Sequence, residues 1–201
     1  MKEGMNLSGM KLKYWFEIRD SKTGKLLKRT RKRRCRSFVI GFMKHLEFVL
    51  AHAYGTTPDP VSTPDSTGSS QTISNNNVSN TVACEAPGND SSYGILVGTG
   101  TTAVTTSDYC VETQITHGSG SGQLNHGATV VGGAVDAGSG CTLTISRQFG
   151  NASGSQITIR ELCLCCKTYS NKVYLLSRDI VTQAVDNGNT ATAIIEISTA
   201  L

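Results

Sequence analysis

Residues 11–19, KLKYWFEIR, alternate well between polar and apolar side chains, with Trp15 the exception. Leu12, Tyr14, Phe16 and Ile18 share one face, while Lys11, Lys13, Trp15, Glu17 and Arg19 share the other, so the pattern predicts a strand with one covered face. DSKTG at 20–24 supplies turn chemistry and a glycine for positive φ, and the chain from Lys25 is expected to return as the second strand of a hairpin. That return strand breaks the pattern. Beyond Leu26 and Leu27 both faces are cationic: Arg29, Arg31 and Arg33 on one, Lys28, Lys32, Arg34 and Arg36 on the other. Neither face can enter an apolar core without a severe desolvation cost, so the segment must meet solvent, anions or carboxylates.

From Ser37, a candidate helix cap, the period changes. Val39, Phe42, Met43, Leu46, Val49, Leu50 and Ala53 recur at three- and four-residue spacing, which predicts an amphipathic helix ending near Gly55 and Pro58. Residues 55–92 are rich in Pro, Ser, Thr and Asn and read as a linker or an extended loop laid over a surface. Beyond them strands recur at short intervals: 93–100, 109–115, 141–150, 155–164, 172–181 and 190–198. NASG and DNGN are read as hairpin turns between the last two pairs. The fold class expected is mainly β: an antiparallel β-sandwich, jelly-roll-like, with an N-terminal β-hairpin plus α-helix arm. The expected organisation is an arm over 1–54, the linker tract over 55–92 and the sandwich over 93–201.

Charge sharpens this division. Residues 1–54 hold 14 Lys/Arg against 4 Asp/Glu, whereas 55–201 hold 5 against 11, so a net charge of +4 conceals a basic front and an acidic body. Three readings of the basic cluster stay open: a solvated strand, backbone-directed contact with nucleic acid, and contact with an acidic partner surface. The cluster lacks interleaved aromatics for base stacking, so nucleic-acid contact through it would be non-specific. A basic-then-apolar order around 25–50 superficially suits a secretion signal, but it starts far from Met1 and is interrupted by Lys44, His45 and Glu47. No apolar run is long enough to span a membrane.

Reactive constellations are weak. GTGTT at 98–102 lacks the lysine and glycine spacing of a phosphate loop. In CLCC at 163–166, Cys163 and Cys166 have no second cysteine pair nearby for zinc, and the seven cysteines read as reduced packing residues. His117 and His126 bracket a glycine-rich loop and could approach each other, without a third metal ligand in view. No nucleophile-elbow or Cys/His signature is present. The expectation is a protein that is not an enzyme and carries no cofactor or metal.

YWFEIRDSKTGKLLKR with RSFVIGF, then GILVGTGTTAVTTSDYCVETQI (94–115), LTISRQFGNASGSQITIRELCL (143–164) and LLSRDIV (175–181), occur in that order. In this order the chain resembles virion structural proteins of tailed bacteriophages, of the head–tail or tail region. The resemblance implies a non-enzymatic, repeated subunit located in the virion and assembled in the host cytoplasm. Its expected partners are itself, as a trimer or higher ring, and other virion proteins, with non-specific contact to packaged DNA and none with membrane. Val39, Phe42, Met43, Leu46, Val49 and Leu50 would form a subunit-docking stripe. Lys28, Arg29, Arg31, Lys32, Arg33, Arg34 and Arg36 would meet acidic subunit surfaces or DNA. The alternatives are a DNA-associated protein using the basic strand, and a receptor- or glycan-binding tail-fibre module using the loops around His117–His126.

Overall fold

The structure, a computed structural model, describes residues 11–35, 39–42, 44, 61–73, 83–136, 141–168 and 171–199. In chain order the strands are β1 (Lys11–Asp20), β2 (Leu26–Arg29), β3 (Arg33–Arg34), β4 (Val61–Pro64), β5 (Ser70–Ile73) and β6 (Gly94–Gly98). They continue as β7 (Asn125–Val131), β8 (Val135–Asp136), β9 (Cys141–Gly150), β10 (Ile157–Lys167), β11 (Val173–Val185) and β12 (Asn189–Ser198). The protein is mainly β, and every ladder is antiparallel.

A larger sheet runs β2–β1–β12–β9–β7, with β3 also on β1 and β8 also on β9; a smaller one runs β11–β10–β6. One apolar core joins them. Leu12, Phe16, Phe149 and Ile195 from the larger sheet meet Ile95, Ile159, Leu164 and Val185 from the smaller. The outer side of the smaller sheet is covered too, by a second cluster of Val39, Leu96, Cys163, Cys165 and Leu175. With both faces covered, β10 buries six consecutive residues, 161–166, instead of alternating.

The expected β1–β2 hairpin exists, but β1 belongs to the body. It pairs with β12 over its full length, from Lys11–Ser198 to Asp20–Asn189. Its inward residues Leu12, Tyr14, Phe16 and Ile18 lie in the shared core. The reason is energetic: each large apolar side chain gains roughly 1.5–3 kcal/mol on burial, and four aligned on one face favour a sheet interior over an arm. β2 and β3, whose cations resist burial, occupy the edge beside it.

Two turns carry the chain differently from expectation. NASG joins β9 to β10 and DNGN joins β11 to β12, yet each pair spans the two sheets, so both turns are crossovers and neither closes a hairpin. Buried Asn151 holds them together: its amide donates to the carbonyls of Ser155 and Val185, and its backbone bonds Asn189 and Gly188. Residues 109–115, expected as a strand, form a loop in which only Gln114 bridges Gly98. Their backbone donors turn instead to a carboxylate, described below. β7 was not anticipated, its period being broken by a bulge between His126 and Thr129.

Described parts of the 55–92 tract contain the β4–β5 hairpin and contact the body. Its turn is closed by Asp65, whose carboxylate accepts from Thr67 and Ser69. Ser66 donates to the Val173 carbonyl, and Ala83 pairs with Lys167.

Candidate functional site: a cationic sheet edge and two buried arginines

The cationic segment is positioned by β1. Thr30 pins it between β2 and β3: its hydroxyl accepts from the Phe16 amide at 2.9 Å, and its own amide donates to the Phe16 carbonyl. Arg29 and Lys32, on either side of it, thereby reach the outer face of the larger sheet, where carboxylates of the body meet them. Arg29 and Arg19 both bond Glu17, at 2.7 and 3.1 Å. Lys32 and Lys13 both bond Glu196, at 2.6 and 3.1 Å, and Lys32 also lies 4.4 Å from the centre of the Trp15 ring.

Burial raises the Glu17 pKa, but hydrogen bonds from Arg29 and Arg19 outweigh that and hold it below the usual range. The Lys32 hydrogen bond, with help from Lys13, does the same for Glu196. Exposed pairs of this kind are worth about 0–1 kcal/mol each, so they fix geometry more than they stabilise.

Lys28, Arg31, Arg33 and Arg34 are exposed and form no ion pair with a described carboxylate. Arg33 lies beside Tyr14 at the sheet edge. Arg36 lies outside the described residues.

Of the expected docking stripe, Val39 is buried in the second cluster of its own body, and its amide bonds the Leu176 carbonyl. Phe42 packs partly against the main core, while Ile40 is exposed. Residues 40–42 and 44 are helical. Met43, Leu46, Val49 and Leu50 lie outside the described residues.

Two arginines of the body are used quite differently. Arg178, on β11, is 3 % exposed at its side chain and bonds Glu161 at 2.6 Å, Asp108 at 2.9 Å and Glu112 at 3.0 Å. Burial pulls its pKa down, but the bonds and charges of Glu161 and Asp108 overcome this and raise it, so the guanidinium stays charged. The Glu161 carboxylate also accepts from the amides of Glu112 and Thr113, which is why 109–115 leaves the ladder pattern. GTGTT finds its explanation here: a side chain at Gly98 or Gly100 would collide with the Glu161 carboxylate. A cleft of ≈ 300 Å³ opens beside Arg178, lined by Thr102, Tyr109 and Cys110 among others. Its charged groups are already committed to one another.

Arg147, on β9, is 1 % exposed and bonds no carboxylate among the described residues. Its guanidinium donates to five carbonyls: Gly127, Tyr93, Ile95, Pro87 and Asp90. It clamps the 87–93 loop onto β7 and β9.

Next to it, His126 is buried edge-on to Phe149; among the described residues neither ring nitrogen has a partner in good hydrogen-bond geometry, although the Ile115 and Asp90 backbones act on the ring. Burial, with the Arg147 charge adding, pushes its pKa down to about 4. His117 does approach, its ring centre 5.9 Å away, but its Nδ1 accepts the His126 amide. Among the described residues no group of three His, Cys, Asp or Glu is placed to hold a metal. Cys163 and Cys166 face opposite sides of β10, in different clusters. Burial drives both thiols well above the ordinary value.

Sequence reasoning placed the cations but missed Glu17, Glu196 and Trp15 as their organisers, although the alternation of β1 set Trp15 and Glu17 on the right face. Nothing in the sequence marked Arg147 or the Arg178 cluster, because their partners lie 17 to 70 residues away. Comparison with protein-family models, curated proteins and solved structures returned no match.

Proposed function

We propose that this chain is a non-enzymatic structural subunit of a phage particle, assembling with copies of itself and with other virion proteins. The observation that carries this reading is the β2 edge, which no described strand covers. All four residues of β2 are exposed, among them Leu26 at 39 % and Leu27 at 51 %, and Ile40 is exposed as well. An edge strand with apolar side chains is a template for pairing with another chain, and a lone monomer would be expected to blunt it. The passage of the chain between sheets at both ends of the β10–β11 pair supports a compact building block. So does the use of Arg147 and Arg178 for loop anchoring, which leaves their charges occupied with holding the fold.

Light scattering of the purified full chain tests the proposal. A trimer or larger ring is expected, and Leu27→Asp, at an exposed position, should lower the assembly state while leaving the circular dichroism spectrum unchanged. A monodisperse monomer that does not enter particles would overturn it.

A further inference from the structure

We infer that the outer face of the larger sheet, entered from its β2–β3 edge, binds the phosphate backbone of nucleic acid. Residues 11–35 carry eleven Lys/Arg against Glu17 and Asp20 alone. The fold brings Lys13, Arg19, Arg29, Lys32 and Arg34 among them to one surface. Arg34 stands directly opposite Lys13 in the β1–β3 ladder, and Lys32 reaches the same Glu196 carboxylate as Lys13. Two cations therefore share one carboxylate, and a third, Arg34, stands beside them without one among the described residues. Like charges directly opposite in a ladder are unfavourable, and a bound anion relieves that repulsion. A second cluster, Arg19 and Arg29 on Glu17, lies four residues along β1, roughly 13 Å away. The two glutamates hold four cations in place yet leave each cluster positive.

Further across the sheet the ladders β1–β12–β9 set Thr192, Thr144, Ser146 and Gln148 on this same face. These side chains donate to phosphate and sugar oxygens as neutral partners, the usual companions of Arg and Lys in backbone contacts. Trp15, the aromatic of this face, is already covered by Lys32, so base stacking is not offered and binding is indifferent to sequence. Thr144 and Gln148 are exposed, and Ser146 and Thr192 are half-buried. The inference does not depend on self-assembly, because isolated chains would bind as well.

The test is fluorescence anisotropy of a labelled 24-base-pair DNA duplex titrated with the full chain between 50 and 200 mM NaCl. For about five phosphate contacts the affinity should fall on the order of 10²–10³-fold across that range, equally for two unrelated base sequences. Arg31→Ala with Arg34→Ala should reduce the slope of log affinity against log salt by about two. Arg160→Ala, an exposed cation on the smaller sheet, should leave it unchanged. Thermal melts confirm that each variant folds. The inference is overturned by undetectable binding at 50 mM salt, by a slope that the Arg31/Arg34 variant does not move, or by an equal loss with Arg160→Ala. It is also overturned if polyglutamate competes as well as DNA does, which would mark the face as a site for acidic protein.

Discussion

The cations of the β2–β3 edge and the two buried arginines of the body are the same chemistry put to opposite uses. Arg147 and Arg178 are surrounded by acceptors on the inside of the fold, five carbonyls for one and three carboxylates for the other. The edge cations outnumber their acceptors and face outward. A buried guanidinium without partners would cost more than the fold could bear, so Arg147 fills all five of its N–H donors, Arg178 sets each of its nitrogens on a carboxylate, and both residues are committed to structure. An exposed one is solvated at little cost, so evolution can leave it available for another molecule. Stability and recognition are therefore separated in space, and substitutions should separate them too.

The largest effect is expected at Arg147. Replacement by Met leaves five carbonyls without their donor, at about 1 kcal/mol or more each, and should cost on the order of 5 kcal/mol in urea denaturation. Hydrogen exchange should rise first in the 87–93 loop. Arg178→Ala strands buried Glu161 as an uncompensated charge and should cost about 3–5 kcal/mol; a loss under 1 kcal/mol would break the contrast between buried and exposed cations.

Acid comes next. His126 is neutral in the fold, with a pKa pushed down to about 4 against 6.5 for the ordinary ring. Because the folded value is the lower one, the neutral ring's contribution is complete above pH 6.5. It drains away as pH falls toward 4, a loss on the order of 3 kcal/mol. His126→Gln should flatten that part of the stability profile. The smallest change belongs to the edge: Lys28→Ala, Arg31→Ala and Arg34→Ala should each shift stability by less than about 0.5 kcal/mol while altering interaction with a partner. A large destabilisation there would mean that the edge serves the fold after all.

β1 illustrates how far local pattern reaches. Its ten-residue alternation was legible because a covered strand face imposes a period of two whatever its neighbours are. Its place was not legible: the partner, β12, lies at the opposite end of the chain, and adjacency to the basic segment suggested an arm. The turns NASG and DNGN show the same limit. Gly154 and Gly188 adopt the positive φ that turn chemistry anticipates, but whether a turn closes a hairpin or crosses between sheets depends on which strands it joins. The candidate surface was half visible. Its cations are contiguous in sequence, whereas Glu196 and the Thr, Ser and Gln side chains reach the face through pairing with distant strands.

What the chain's own order determined is the periodicity of its long strands, the positions of its turns and the segment that had to remain in water, since each follows from side-chain alternation or desolvation within a few residues. What only the tertiary structure decided is which strand lies beside which, and hence the carboxylates that gather the cations and the carbonyls that enclose Arg147. Those choices come from register and burial summed over the whole domain, and no single stretch of sequence contains them.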